Sequence, residues 1–408
     1  MNSKNKILMV MPSLPYPESG AEQSDRAWGI RLLKELGYEV KVLAKWPKFK
    51  STDLIETARK EFGVEIITVP YVFSSTQINL LKKIKKYLYQ ISHLIFLDGA
   101  ALEYAEPVIV KEFKDILDDW QPDIVWFEYT YLWPLYALAK DRKLRIITRS
   151  LNFEPDHFWQ EDGPSFLHRI VYWAKLRSEK MVIKNSDYIL AITPNEACRY
   201  SELGAKHVGV LPLRGLSSLI GQNLKKAENR VGPYQVFFLG STYNVSHNRQ
   251  ALEFLLREII PFGNQIHPGE FVFNIFGAKV PAELLPNLPG NVIIRGYVPD
   301  LSSALTEMDL AVTPSLLGAG MQQKIFEPLV RGIPTVASAR GLAGYPFVAG
   351  EHLLTADTAK DFATALGRLA KDFKQRQDLA EAAVLLSKKL FAKEAIISII
   401  NESLTKEV

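Results

Sequence analysis

The sequence holds a single cysteine, Cys198, among 408 residues. A lone thiol closes no intramolecular disulfide and supplies no cysteine-rich metal site, which excludes a disulfide-stapled secreted scaffold and a zinc finger; a reducing cytoplasm fits best. Long apolar runs are missing too. A spanning helix needs about 18 consecutive apolar residues, and even the stretch Ile124 to Leu138 is interrupted by Glu128. The basic start through Lys6 leads into an apolar run that Pro12 stops, too short for a signal-peptide core, so it reads as mature sequence. Charge of one sign is also scarce. Lys and Arg number 49 against 45 Asp and Glu, a net +4 that is too small for a general nucleic-acid binder of this length. That small surplus sits in the first hundred residues. No short internal repeat is found, and the histidines show no metal-ligand spacing.

What is present is a chain that is 47% hydrophobic and 23% charged, enough for two or more packed domains. Lys6 to Met11 is a short apolar run, followed by the turn-rich Pro12-Ser13-Leu14-Pro15-Tyr16-Pro17-Glu18-Ser19-Gly20 and an amphipathic stretch through Ala27, Ile30, Leu33 and Leu36. Gly37 reads as a left-handed cap, and Glu39 to Ala44 as a second strand, so the opening is a βαβ unit of a parallel sheet. Further strands are expected at 65–69, 123–126, 145–148 and 188–192, with helices over 102–117 and 166–184. The Gly-, Ser- and Lys-rich stretch from Leu213 to Gly232 reads as a linker. A second alternating series follows, with strands at 235–239, 272–276, 292–295, 310–313 and 335–337 and helices near 249–260, 301–307 and 322–331. Helices over 359–371, 375–390 and 393–404 close the series without strands. The expected division is a Rossmann-like domain over 1–212, a hinge at 213–232, a second Rossmann-like domain over 233–385, and a helix at 386–408 returning to the first domain.

The segment Asp309 to Ser338 carries the most chemistry. A strand runs into Thr313-Pro314-Ser315, then a loop with Gly318 and Gly320, then a helix start, an arrangement that offers backbone N–H groups to an anion. Lys324 and Glu327, three apart, share a helix face, where Lys suits a diphosphate and Glu suits the vicinal hydroxyls of a ribose. On spacing alone, a surface Lys/Glu pair and a tightly packed turn are the readings to prefer.

These residues resemble the donor-binding segment of the family 4 glycosyltransferases, retaining enzymes of the GT-B fold, whose Glu-x7-Glu motif ends where Glu327 stands. Ala319 occupies the place of the first glutamate, and Gly318-Ala319-Gly320-Met321 with Lys324 resembles a branch that has a Gly-rich loop there. The resemblance implies two Rossmann-like parallel-sheet domains facing a cleft, with C-terminal helices, the N-terminal one for the acceptor and the C-terminal one for a nucleoside-diphosphate sugar. It implies donor contacts from Gly240 and Ser241 after the first strand of the second domain, from Gly277, Tyr297 and Val298 near the base, and from Gly320, Met321, Gln322, Lys324 and Glu327. In the first domain, Gly20 ends the Pro-rich loop that faces the cleft, and Arg26 follows on the next helix. Arg149-Ser150-Leu151-Asn152-Phe153-Glu154 resembles the family's His-Asn-x-Glu segment, with Leu151 in place of the His. Asn152, Glu154 and nearby His157 are the implied acceptor-side residues, and Lys324, Glu327 and Glu154 the implied catalytic set. No Asp-x-Asp signature of the metal-dependent GT-A enzymes is present, so neither metal nor cofactor is expected beyond the donor itself.

The implied function is transfer of a sugar to a glycan or lipid-linked acceptor in surface polysaccharide or glycoconjugate synthesis. The alternative, motivated by Ala319 and Leu151, is a catalytically silent sugar-nucleotide or glycan-binding partner of an active transferase. A nucleotide-sugar epimerase would require an acid/base constellation that the cleft segments lack. Asn79 to Leu97 has apolar residues at helical spacing flanked by Lys82, Lys83, Lys85 and Lys86. It either lies on an anionic membrane surface, which would put the protein at the inner face of the membrane, or packs on its own domain with its lysines in water.

Overall fold

In the computed structural model, described for residues 5–18, 20–47, 50–72, 88, 99–162, 165–224, 232–286, 288–318 and 320–406, the chain forms two parallel sheets in two compact units. Ala319, most of the 79–97 segment and residues 225–231 of the expected linker lie outside the described residues. Unit 1 comprises Met1–Arg214 and Ile397–Val408, and unit 2 comprises Gly215–Ile396.

Unit 1 grows from β1 (Lys6–Met11), whose last five residues are all buried. A strand that is apolar on both faces belongs in the middle of a parallel sheet. Accordingly β1 pairs in parallel with β2 (Glu39–Trp46) on one side and β4 (Ile124–Phe127) on the other, Val10 lying opposite both Leu43 and Phe127. With β3 (Glu65–Pro70), β5 (Arg145–Arg149), β6 (Tyr188–Ala191) and β7 (Val208–Val210) the order is β3-β2-β1-β4-β5-β6-β7. The Gly20–Glu35 helix returns the chain from β1 to β2, burying Ala27, Ile30 and Leu33. Gly37, at φ +90°, ends it as expected.

The helix expected over 102–117 is displaced to Pro107–Trp120, after a separate turn of helix at Gly99–Leu102. Pro107 has no N–H to donate to a preceding turn, so it opens a helix rather than continuing one. At the far end of the chain, the Lys393–Thr405 helix is tied to β5 because Arg145 donates from Nε and a terminal nitrogen to the Ser403 carbonyl, at 3.2 and 2.8 Å.

Unit 2 repeats the plan with β8 (Tyr234–Thr242), β9 (Phe271–Ala278), β10 (Val292–Gly296), β11 (Leu310–Thr313), β12 (Thr335–Ala337) and β13 (Leu354–Thr355), ordered β10-β9-β8-β11-β12-β13. One face of this sheet packs Val236, Phe238 and Ile275 against Leu252, Leu256, Phe362 and Leu366. The other packs Phe237, Phe276 and Ala311 against Leu305 and Met308. The helix expected near 249–260 runs from Ser246 to Ile266 with a π turn at Leu255–Ile259 just before Pro261, the wider turn accommodating a residue that lacks an N–H. The two-residue β13 was not foreseen, since so short a strand shows no alternation.

Strand order reverses once in each sheet, between β1 and β4 and between β8 and β11, and such a reversal opens a crevice at the carboxyl ends of the strands. At the unit 1 reversal lies a closed set of buried charges. Arg214 donates to both carboxylate oxygens of Glu128, at 2.8 and 2.9 Å, and to both of Asp25, at 3.2 and 2.8 Å, while its backbone N–H reaches Asp25 at 2.7 Å. Arg149 adds a longer contact to Asp25, and all four side chains are inaccessible to water. Burial alone would raise the Asp25 pKa, but Arg214 and Arg149 more than offset it and hold the carboxyl below its usual value. Gly29 is required here, since a Cβ would fall 2.2 Å from the Arg214 guanidinium.

Arg214→Ala would leave two carboxylates without their main partner in the interior, a loss of about 3–5 kcal/mol. Chemical denaturation should show it as a lower midpoint, and a variant within 1 kcal/mol of the parent, on the order of a surface pair, would contradict the network's role.

Candidate functional site

At the unit 2 reversal the chain leaves β11 through Pro314 and Ser315, turns through Gly318 (φ +104°) and Gly320 (φ +72°), and enters the Gln323–Arg331 helix. Both glycines hold a left-handed backbone that side chains resist. The loop is pinned from inside: the Ser315 hydroxyl donates to Gln322 Oε1 at 2.7 Å, and Gln322 Nε2 donates to the Leu317 and Gly318 carbonyls, each at 3.3 Å. Gln322 is the residue before the helix, and its side chain is committed to the loop rather than capping the first-turn N–H groups. Those N–H groups and the positive end of the helix dipole are therefore open to an anion. Gly320 and Met321 are buried beneath this turn.

Lys324, in the first turn, is the central feature. Its side chain is only 6% exposed, yet among the described residues its one hydrogen bond is to Asn248 Oδ1 at 3.2 Å, with the Phe238 ring 6.0 Å away. No carboxylate pairs with it among the described residues. Burial, with a smaller push from Arg340, drives its pKa down to about 8. Asn248 is held by the end of β8, donating to the Thr242 carbonyl at 3.0 Å. A buried ammonium facing only an amide oxygen is a site that lacks its negative charge.

Lys324 and Glu327 do not act as the pair their spacing suggested. Glu327 accepts from Arg331 Nε at 3.0 Å and from a terminal nitrogen at 2.9 Å, and its other oxygen accepts from Gln323 at 2.7 Å. Arg331 in turn donates to Gln222, Asn223 and Ser302, so Glu327 is fastened to the buried side of its helix. One oxygen retains capacity for a further donor.

Gly240 and Gly277 end neighbouring strands, and packing accounts for both. A Cβ on Gly277, at φ +139°, would lie 2.1 Å from the Gly240 carbonyl, and one on Gly240 would lie 2.8 Å from the Tyr243 ring. Tyr243 is fully buried and donates to the Phe276 carbonyl at 2.7 Å. Ser241 beside it is exposed. Tyr297, 69% exposed, and Val298, packed on Leu305's cluster, follow edge strand β10, two strands from β8.

In unit 1, Gly20 is the exposed first residue of its helix, and Arg26 lies one and a half turns on, 1% exposed. Arg26 pairs with Glu22 and lies 5.8 Å from the Tyr129 ring, while its Nε has no acceptor among the described residues. Tyr129 and Tyr131 both donate to the Glu154 carboxylate, which Lys175 approaches to 3.6 Å, and Asn152 reaches the Tyr129 hydroxyl at 3.5 Å. His157 is one turn further along the Glu154–Asp162 helix, half-buried, and Leu151 is buried. Thus Arg26, Asn152 and Glu154 meet around Tyr129, a residue the sequence reading did not single out.

Two further carboxyls hold this turn from beneath. Glu196 Oε1 accepts the Phe153 N–H at 3.0 Å, and Glu179 accepts the hydroxyls of Thr130 and Tyr200 at 3.0 and 2.8 Å and the backbone N–H of Glu154. Burial raises Glu179 to about 8 and Glu196 to about 7. Among the described residues no group of acidic, His and Cys side chains is arranged to hold a metal ion.

Residues 233–372 match the family described as Glycosyl transferases group 1. No curated protein matches the sequence. Among solved structures, Anabaena HepE in complex with UDP and glucose superposes with a TM-score of 0.67 at 14% identity, over 99% of this chain and 100% of that one. Sucrose-phosphate synthase from Thermosynechococcus elongatus gives 0.67 at 17%, over 98% of each. S. aureus TarM, as a mutant in complex with fondaparinux, alpha-GlcNAc-glycerol and UDP, gives 0.68 at 10%, over 98% of this chain and 100% of that one. At such identities the likeness is one of fold: two Rossmann-like parallel-sheet domains with helices, the GT-B architecture expected from the sequence.

The raised Glu179 carboxyl makes a pH prediction. Folded protein keeps a proton that the unfolded chain releases near 4.5, so this group's contribution is complete below 4.5 and is lost as pH rises towards about 8. Glu179→Gln removes the dependence. The melting point of the variant relative to the parent should rise by on the order of 5 °C between mildly acidic and mildly alkaline buffer; a difference independent of pH would refute the assignment. Gly277→Ala should cost about 2–4 kcal/mol through the clash with the Gly240 carbonyl, and unchanged thermal stability would contradict that packing.

Proposed function

We propose that this protein is a glycosyltransferase that binds a nucleoside-diphosphate sugar in unit 2 and passes the sugar to a hydroxyl of a glycan or lipid-linked acceptor. The observation that carries the reading is Lys324: a buried cation without a counter-charge among the described residues, in the first turn of a helix at the β8/β11 reversal, inside the stretch that matches Glycosyl transferases group 1. A diphosphate supplies the missing charge. Glu327, with one oxygen still able to accept, suits a ribose hydroxyl, and exposed Tyr297 suits a base.

The chemistry follows from where charge develops. As the bond between the sugar's anomeric carbon and the phosphate oxygen breaks, the leaving diphosphate gains negative charge beside Lys324 and the helix N–H groups, which are already oriented to receive it. The anomeric carbon bonds to the acceptor oxygen on the same face, and the acceptor's proton passes to a phosphate oxygen. This retaining course, metal independence and a place in surface glycan synthesis rest on the family resemblance. Arg26, Asn152, Glu154 and His157 are the acceptor-side residues of the proposal, with Gly20 at the rim. A silent sugar-nucleotide binder is the second reading, favoured by buried Leu151 in place of the family's histidine.

Thermal stabilisation by a panel of nucleotides, led by UDP because HepE is seen with it, tests the donor site. One nucleoside diphosphate should raise the melting point of the parent, and Lys324→Met should abolish that shift. The same substitution should leave the ligand-free protein as stable or more stable, by about 1–3 kcal/mol, because it removes a desolvated charge. A parent indifferent to every nucleotide, or a Lys324→Met variant that keeps the full shift, defeats the donor-site assignment. Binding without sugar release or transfer would select the silent reading.

A further inference from the structure

The Phe166–Asn185 helix of unit 1 has one face packed on its domain, marked by buried Ser178, Glu179, Val182 and Ile183. At 3.6 residues per turn, Arg169, Ile170, Trp173, Arg177, Lys180 and Lys184 fall within an arc of about 100° on the other side. All six are exposed, Trp173 to 70% and Ile170 to 57%, the former the most exposed large apolar side chain described. The stripe is about 22 Å long. Every charge on it is positive: the helix has one acidic residue, Glu179, and it is buried on the opposite face. Arg169, Lys180 and Lys184 form no ion pair among the described residues.

We infer that this stripe is a docking surface for an anionic lipid bilayer, with Trp173 and Ile170 entering the headgroup region and Arg169, Lys180 and Lys184 facing lipid phosphates. Two properties together select this occupant. Arg169, Lys180 and Lys184, like charges without an ion pair among the described residues, are complementary to a negative surface, and their attraction falls with salt. An indole and a branched apolar chain near the N-terminal end of the stripe face water at a cost, and the interface of a bilayer is where an amphipathic ring and apolar bulk are both accommodated. A free polyanion would use the charges and leave Trp173 in water. The inference concerns residues other than those of the donor site, and does not require the protein to transfer sugar.

The test uses the full chain in co-sedimentation with vesicles of phosphatidylcholine alone and of an equal mixture of phosphatidylcholine and phosphatidylglycerol. Binding is expected to the mixed vesicles and not the neutral ones, weakening as salt is added. Ile170→Ser with Trp173→Ser, and separately Arg169→Gln with Lys180→Gln and Lys184→Gln, should each weaken it by about tenfold or more, with melting points unchanged since these side chains are exposed. Tryptophan emission should shift to the blue on binding in the parent and shift less in Trp173→Phe. Absence of binding to mixed vesicles overturns the inference. So does binding that both multiple variants retain, which would place the contact elsewhere, for example at 79–97, and so does equal binding to soluble heparin with no change in emission.

Discussion

Charge taken out of water has to be balanced inside the protein, and this constraint separates the two strand-order reversals. At the β1/β4 reversal, Asp25 and Glu128 meet Arg149 and Arg214, two of each sign, with hydrogen bonds running between them. Such a set balances its own charge. At the β8/β11 reversal Lys324 meets, among the described residues, only the Asn248 amide oxygen. The same architectural position is thus closed in one unit and left a negative charge short in the other, and the proposed donor site is the one left short.

The surroundings of Lys324 are arranged to keep it there. Asn248 is held from β8, Ser315 and Gln322 fix the loop, and Gly341 lets Ile325 approach, since a Cβ would sit 2.0 Å from its Cδ1. Glu327 and Arg331 anchor the following turn. Pro328 within the same helix removes the N–H that would bond the Lys324 carbonyl, so the first turn is held by these lateral contacts more than by its own ladder. On the acceptor side, the Asn152–Glu154 turn is held likewise by carboxyls beneath it, from two different helices.

Much of the fold was legible because it rests on local pattern. Ile7 to Met11 is apolar without a break and became the body of a central strand; Gly37 ended its helix in the conformation its place suggested; five of the six strands of unit 2 lie within a few residues of the apolar runs that mark them. Errors came where backbone chemistry cut across periodicity, as at Pro107 and Pro261, or where an element was too short to show a period, as at β13. Of the candidate site, the Gly-rich turn and Lys324 were visible as a local sequence. Their decisive property was not. That Lys324 faces an amide oxygen and, among the described residues, no carboxylate depends on Asn248, 76 positions away, and that Glu327 belongs to Arg331 depends on which face the helix buries. Tyr129 joins Glu154 and Arg26 across more than twenty positions in either chain direction, with no spacing signal between them.

The pairing of Arg145 with Ser403 has a consequence for the order in which the protein is made. Unit 1 begins the chain but includes Ile397–Val408, so its last helical contact is supplied by residues that leave the ribosome after every residue of unit 2. During synthesis, unit 2 therefore has its whole sequence available first, while the flank of β5 waits for the helix that carries Ser403.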